Sequence, residues 1–138
     1  MNKKIQKLIE KAKIDFLAKK EKKHRLICFV LDSKYRIISI GHNSYSKTHT
    51  LQSKLAAKCG NKNREYLHAE ISALARIIRN MAVNPVESVA KILIVRFNKK
   101  GELTLASPCQ ICRQAIKMAG IKEVIYTTNS GIDTEFGV

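Results

Sequence analysis

The chain opens with apolar residues at helical spacing, separated by lysines. Positions three and four apart share one face of an α-helix, so this pattern predicts an amphipathic first helix packed on a core. Its apolar stripe is Ile5, Leu8, Ile9, Ala12 and Phe16. Two short apolar runs follow at residues 26–31 and 35–40, separated by the polar stretch Asp32-Ser33-Lys34. Two such runs around a turn predict a β-hairpin.

Helical and strand patterns alternate along the rest of the chain. The polar segment 41–50 is expected to be a loop, and residues 51–58 can form a short helix that ends before Gly60-Asn61. The next predicted element is a helix with the apolar stripe Ile71, Leu74, Ala75 and Ile78, which ends at Asn84-Pro85. A strand at 90–97 and a loop at 98–101 follow. The last predicted elements are a helix from Pro108 to Gly120, a strand at 124–128 and a final strand after Gly131. Proline favours the first helical position and glycine the position after the last.

The predicted order is therefore α-β-β-α-β-α-β with one further strand. Elements that alternate in this way form layers, with helices on the faces of one sheet. Only residues 129–131 separate the last two strands. A parallel pair needs a crossover of about a dozen residues or more, so these two strands must be antiparallel if they pair.

Length and composition fit a single soluble domain spanning residues 1–138, with 45% hydrophobic residues. No apolar run approaches the ~18 residues needed to cross a bilayer, and the lysine-rich start lacks the apolar core of a secretory signal. Cys28 lies in an apolar run and Cys59 precedes a predicted turn, so the four cysteines do not suggest a disulfide framework. We expect a cytoplasmic protein without a membrane partner.

The net charge of +15 is unusual, and residues 1–25 hold ten Lys and Arg against three Asp and Glu. Such a balance favours polyanions or phosphorylated small molecules as partners. A solvated lysine face would give the same composition. Nucleic acid is compatible with the charge but is not favoured, because the lysines are scattered and no cluster of arginine with aromatic residues is present.

Two short segments carry the candidate chemistry: His68-Ala69-Glu70 and Pro108-Cys109-Gln110-Ile111-Cys112. One imidazole and two thiolates are three good zinc ligands, one fewer than the usual four. The fourth position can then bind a water that ionises near neutral pH. Glu70 is two residues from the ligand histidine and is placed to carry protons for that water. The set therefore favours a catalytic zinc site over a structural one.

The pair H-x-E and P-C-x-x-C resembles the zinc-dependent cytidine and deoxycytidylate deaminase family. The resemblance covers roughly residues 26–130 and includes Gly41-His42-Asn43. It implies a three-layer α/β/α fold around a mixed five-stranded sheet, a Zn²⁺ cofactor and a homo-oligomer. It also implies a hydrolase that acts on C–N bonds of cyclic amidines and removes the amine at C4 of cytosine, with Glu70 moving protons to N3 and to the departing amine.

The resemblance extends to substrate contacts. Asn43 matches the asparagine of a G-x-N segment and is a candidate for holding the sugar, although a turn asparagine would give the same pattern. Ala69 and Ser107 correspond to positions whose backbone groups contact the base in the family. His24, His42 and His49 match no motif, and His42 or His49 as a fourth zinc ligand would make the site structural.

The spacing of the metal motifs also predicts local geometry. Cys109 and Cys112 are three apart, so on one helical turn their sulfurs face the same direction. Thiolates are favoured at a helix start, where free N–H groups and the helix dipole stabilise negative charge. His68 and Glu70 are two apart and would diverge on a regular helix. They can converge only if the metal lies off the helix end, so we expect two helix N-termini directed at one zinc ion.

The motifs combine features of different branches of the family. A histidine as first ligand resembles the deoxycytidylate and tRNA-adenosine deaminases, whereas antiparallel final strands resemble the enzymes that act on free cytidine. We interpret the chain as a deaminase of a free cytosine nucleoside or nucleotide: cytidine, deoxycytidine or deoxycytidylate. One alternative is a cytosine or adenine deaminase of RNA or single-stranded DNA, favoured by charge but opposed by the lack of stacking residues. Another is a non-catalytic structural zinc module that binds RNA.

Overall fold

The computed structural model describes residues 2–18, 25–43, 68–81 and 90–137. In chain order, these ranges contain α1 (Lys3–Ala18), β1 (Arg25–Leu31), β2 (Ile37–His42), α2 (Ala69–Met81), β3 (Lys91–Phe97), β4 (Leu103–Thr104), α3 (Gln110–Met118), β5 (Glu123–Thr128) and β6 (Gly131–Phe136). The helix predicted at 51–58, Cys59 and the histidines His24 and His49 lie outside the described residues.

The described strands form one mixed sheet in the order β2-β1-β3-β5-β6. β3 and β5 are parallel, and the other neighbouring pairs on this path are antiparallel. The predicted antiparallel pairing of the last two strands is confirmed, because Glu123 lies opposite Phe136 and Thr128 opposite Gly131. The five strands of this path match the expected central sheet.

Helices cover both faces of this sheet. On one face, the stripe of α1 packs on side chains from β1, β3 and β5, which include Phe29, Val95 and Ile125. On the other face, α2 and α3 pack on the alternate residues of the same strands, such as Ile94 and Val124. Successive side chains of a strand point to opposite faces, so each strand contributes to both cores. The predicted three-layer α/β/α fold is confirmed.

The structure differs from the predicted elements in several places. β2 ends at His42, inside the segment 41–50 that was predicted to be a loop. β2 begins two residues late, because Asp32 accepts hydrogen bonds from the backbone N–H groups of Lys34 (2.8 Å) and Arg36 (2.9 Å) and so lengthens the turn. Between the predicted loop at 98–101 and Pro108, where no strand was predicted, the structure has the two-residue strand β4, which pairs with the end of β3. The last helix begins at Gln110 and not at Pro108, since Cys109 has an extended backbone (φ −73°, ψ 173°) and is the N-cap residue.

Several other local predictions agree with the structure. Gly120 follows the C-cap of α3 with a φ of +77°, a conformation that glycine adopts without steric cost. Cys28 is fully buried, as its apolar surroundings predicted. Ile71, Leu74 and Ala75 face the core, whereas the side chain of Ile78 lies outside what the structure describes. Within the described residues, no helix is both long and apolar enough to span a membrane.

Candidate metal centre

The starts of α2 and α3 bring the two metal motifs together. Ser72 N–H donates to the His68 carbonyl (2.9 Å) and Arg113 N–H to the Cys109 carbonyl (2.9 Å), which are the first hydrogen bonds of the two helices. His68 and Cys109 therefore stand at two helix N-termini. The N-cap Cys109 makes no side-chain cap hydrogen bond, and its sulfur lies beside His68 and Cys112.

A close approach between β2 and α2 fixes the position of His68. A Cβ atom at Gly41 would lie 2.2 Å from the Ala69 carbonyl oxygen and 2.3 Å from the Ala73 nitrogen, so only glycine fits there. The Ser39 hydroxyl, which lies two residues earlier on β2, donates to the Ala73 carbonyl (2.8 Å). The first turn of α2 thus rests directly on the end of β2.

His68, Cys109 and Cys112 form a compact set of donor atoms. All three lie within 4.8 Å of one another, and within the described residues they are the one group of three or more such side chains found at this spacing. His68 Nδ1 lies 3.2 Å from Cys112 Sγ and 3.6 Å from Cys109 Sγ. A tetrahedral zinc with ordinary bond lengths separates nitrogen and sulfur ligands by roughly 3.6 Å. The donor set and its spacing therefore fit zinc.

The two cysteines differ in pKa, because their side chains form a hydrogen bond with each other. A hydrogen bond from Cys112 lowers the pKa of Cys109 to about 3, with smaller help from His68. The same hydrogen bond, followed by burial, raises the pKa of Cys112 well above its usual value. Zinc binds thiolates, so metal binding here is expected to displace the proton that Cys112 holds.

Glu70 lies beside these sulfurs in the first turn of α2. Its side chain is 4% exposed and lies within hydrogen-bonding reach of the Cys112 thiol. Burial raises the pKa of the Glu70 carboxyl, while its own backbone N–H and the Cys112 thiol oppose that rise. A carboxyl group whose pKa is raised by burial keeps its proton at a higher pH than an exposed carboxyl group does.

The structure locates the other candidate residues in different surroundings. Asn43 follows β2, and its Oδ1 accepts from the Leu26 N–H (3.0 Å), which fastens the end of the hairpin. Ala69 is buried at the start of α2, against Gly41. Ser107 is exposed in the loop before α3, where its hydroxyl accepts from Arg113 (3.0 Å).

His42 is not part of the donor set. It lies 3.8 Å from Asp15 of α1, on the opposite face of the sheet. Arg113, in contrast, was missed by sequence reasoning, although it contacts the loop that precedes Cys109. The sequence signal that could have indicated a role for Arg113 near the donor set is its position directly after Cys112.

Comparisons with known proteins agree with this geometry. The model of the family described as "Cytidine and deoxycytidylate deaminase zinc-binding region" matches residues 2–128. The chain therefore belongs to the cytidine and deoxycytidylate deaminase family, whose members bind zinc in this region, and His68, Cys109 and Cys112 could hold that zinc.

The fold is shared with a solved cytidine deaminase structure. A cytidine deaminase from Burkholderia pseudomallei superposes with a TM-score of 0.57 at 17% identity, covering 95% of this chain and 91% of that one. A cytidine deaminase from Mycobacterium leprae gives a TM-score of 0.49 at 18% identity, covering 94% and 92% of the two chains. No curated protein sequence matches the chain.

Proposed function

We propose that this protein hydrolyses the exocyclic amine of a free cytosine nucleoside or nucleotide, yielding the uracil product and ammonia. The main observation in support of this proposal is the compact donor set of His68, Cys109 and Cys112, with the buried Glu70 carboxyl beside it. Three protein ligands leave one position open on a tetrahedral ion, and an open position is typical of catalytic zinc. Zinc, when bound, would supply the Lewis acidity that activates water near neutral pH.

In this proposal, Glu70 moves the protons. Its carboxylate accepts a proton from the attacking water and delivers it to N3 of the ring. It then transfers the second proton of that water to the amine that leaves from C4. The burial that raises the pKa of Glu70 supports this role, because a proton carrier works best when its pKa is near the working pH. Asn43 would hold the sugar, and backbone groups of Ala69 and Ser107 would contact the base.

The arrangement of the last strands supports a small substrate, since antiparallel β5 and β6 resemble the free-cytidine branch of the family. The histidine ligand resembles the deoxycytidylate branch, so the proposal includes nucleosides and nucleotides. The net charge of +15 favours a polynucleotide deaminase as second candidate. Against it, the exposed lysines of α1 lie on the opposite face of the sheet from the donor set.

A substrate panel tests the proposal. Zinc-loaded protein is incubated with cytidine, deoxycytidine, deoxycytidylate, and cytosine-containing single-stranded DNA and RNA, and the loss of cytosine absorbance is followed. We expect turnover of at least one of the three monomers and none of the polymers. Turnover confined to a polymer would transfer the assignment to the second candidate. Stoichiometric zinc without turnover of any substrate would support a structural zinc module.

A further inference from the structure

Arg113 joins the helix that carries Cys112 to the loop that carries Cys109. Its Nε donates to the Pro108 carbonyl (3.1 Å) and its Nη2 donates to the Ser107 hydroxyl (3.0 Å). Both acceptors lie in the two residues before Cys109. The guanidinium group thus holds the loop in place at the point where the chain enters α3.

Glu135 in turn holds the guanidinium group of Arg113. Arg113 Nη1 donates to Glu135 Oε2 (2.6 Å) and Nη2 to Oε1 (3.3 Å), which is a bidentate pair. The register of β6 makes this contact available, because Glu135 lies opposite Val124, a residue of the core beneath α2 and α3. Glu135 therefore faces the same side of the sheet as α3.

A buried tyrosine completes the arrangement. Tyr126 is 7% exposed and its hydroxyl donates to Glu135 Oε1 (3.1 Å) and, at 3.4 Å, to Asp133. The Glu135 carboxylate consequently accepts from both Arg113 and Tyr126. Because the buried ring of Tyr126 fixes its hydroxyl group, the Glu135 carboxylate that accepts from this hydroxyl has few alternative orientations. The bidentate pair with this carboxylate in turn fixes the plane of the Arg113 guanidinium group.

From these contacts we infer that Glu135 is a positioning residue for the metal ligand Cys109, acting through Arg113. The inference rests on the proposed zinc site. The loop is fixed at its other end by β5, where Ala106 N–H donates to the Thr127 carbonyl (2.9 Å). Between that bond and Cys109 stand only Ser107 and Pro108, and proline has no N–H to donate. The Arg113–Glu135 pair supplies the hydrogen bonds that orient this short segment.

This arrangement needs a guanidinium group and not merely a positive charge. Arg113 uses Nε and both terminal nitrogens, which lie in one plane, whereas a lysine ammonium is a compact point charge on a flexible stem. Arg113→Lys therefore keeps a cation near Cys109 but loses the fixed geometry. Glu135→Gln keeps the size of the side chain and loses the charged acceptor.

The test measures zinc affinity by competition with a chelator, and the absorption spectrum of the Co²⁺-substituted protein, which reports ligand geometry. Glu123→Gln is the matched control, because Glu123 forms an ion pair with Lys91 on the opposite face of the sheet from Val124 and Glu135. We expect Arg113→Lys and Glu135→Gln to weaken zinc binding by about tenfold, as is usual for groups that orient metal ligands. Their Co²⁺ spectra should shift, and Glu123→Gln should match wild type in both measurements.

Tyr126→Phe is a milder variant that retains the buried ring, and it should weaken zinc binding in the same direction by a smaller factor. If Glu135→Gln fails to fold, Tyr126→Phe still tests whether the hydrogen bonds of Glu135 affect zinc binding. Wild-type zinc affinity for Arg113→Lys would mean that charge alone matters, and would overturn the inference. Wild-type affinity for Glu135→Gln, or an equal loss in Glu123→Gln, would also overturn it. Stoichiometric zinc in the wild type is measured first, so a failure of the zinc site itself is distinguished from a failure of this inference.

Discussion

The side chains in the donor set and beside it differ in the direction in which their surroundings shift the pKa. The pKa of Cys109 falls to about 3, while the pKa of Cys112 and that of Glu70 rise. For Glu70 the main cause is burial, which disfavours the carboxylate. A carboxyl group with a raised pKa next to two candidate zinc-binding sulfurs is suited to proton transfer.

Glu70→Gln should retain zinc and fold but lose deamination by a factor of about 10² to 10⁴, the usual contribution of a general acid–base group. Glutamine has almost the same size and can accept a hydrogen bond from Cys112, but it cannot exchange protons. Zinc content, circular dichroism and turnover of the best monomer substrate check this prediction. Turnover within a few-fold of wild type would make Glu70 a spectator, and Glu123→Gln is the control for loss of a carboxylate elsewhere.

At the scale of secondary-structure elements, the site depends on how closely α2 approaches β2. The contacts of Gly41 with Ala69 and Ala73 leave no room for a side chain. Because His68 and Glu70 lie in the first turn of α2 or directly before it, any shift of the helix moves both of them. The glycine therefore affects the donor set without contacting a donor atom.

Gly41→Ala should lower stability by about 1–3 kcal/mol, as overpacking usually does, and should also weaken zinc binding. Ser39→Ala is the matched control on the same strand and face. It removes the hydrogen bond to Ala73, at a cost of about 1 kcal/mol, without inserting an atom. Thermal unfolding and chelator competition measure the two effects. If both variants bind zinc like the wild type, the approach of β2 and α2 does not position His68.

The sequence predicted those elements whose apolar periodicity is strong, such as the stripe of α1 and the buried strand β3. β4 has only two residues and no periodic pattern, so its pairing with β3 could not be foreseen. The start of α3 was placed two residues early because proline favours the first helical turn. In the structure, the carbonyl of Pro108 is instead held by Arg113, a contact that depends on β6 lying beside α3.

The grouping of His68, Cys109 and Cys112 could be predicted from the motifs, because each motif places a candidate metal ligand at a helix start. The hydrogen bonds that hold the residues around the donor set could not be predicted. Glu135 is 22 residues from Arg113 in the chain, and neither residue type nor spacing indicates that they pair. Asn43 matches a family motif, but its hydrogen bond to Leu26 depends on the register of β1 and β2.

At the scale of the whole molecule, zinc would link segments that are distant in sequence, since Cys109 is 41 residues from His68. Metal binding by ligands from separate segments adds its free energy to folding. The chelator-treated wild type should therefore unfold at a lower temperature than the zinc-loaded form. Cys109→Ala should unfold at a low temperature that neither zinc nor chelator changes. Cys28→Ala, which removes a buried thiol outside the donor set, should retain the response to zinc. A chelator response in Cys109→Ala would show that Cys109 is not a required ligand.

The two faces of the sheet separate the donor set from the lysines of α1. The lysines of α1 are exposed on the outer layer, while the donor set lies in the layer formed by α2 and α3. Exposed charges are screened over about 8 Å at physiological ionic strength, so the α1 lysines should have little effect on a small substrate. A polymer that bound this face would behave differently, because each neutralised phosphate releases counterions and makes binding steeply dependent on salt.

A variant with Lys3, Lys7 and Lys11 changed to glutamine should therefore deaminate cytidine with kcat/KM within about twofold of wild type, at every salt concentration tested. Removal of residues 2–4 should have equally little effect. In parallel, binding of fluorescent single-stranded DNA and RNA is measured from 50 to 300 mM salt for both proteins. Any polymer binding should weaken with salt and with the substitutions, yet remain uncoupled from cytosine loss. Cytosine loss within the polymer that falls with salt and with the three substitutions would contradict the small-substrate assignment, because charge on the far face of the sheet would then control access to the donor set.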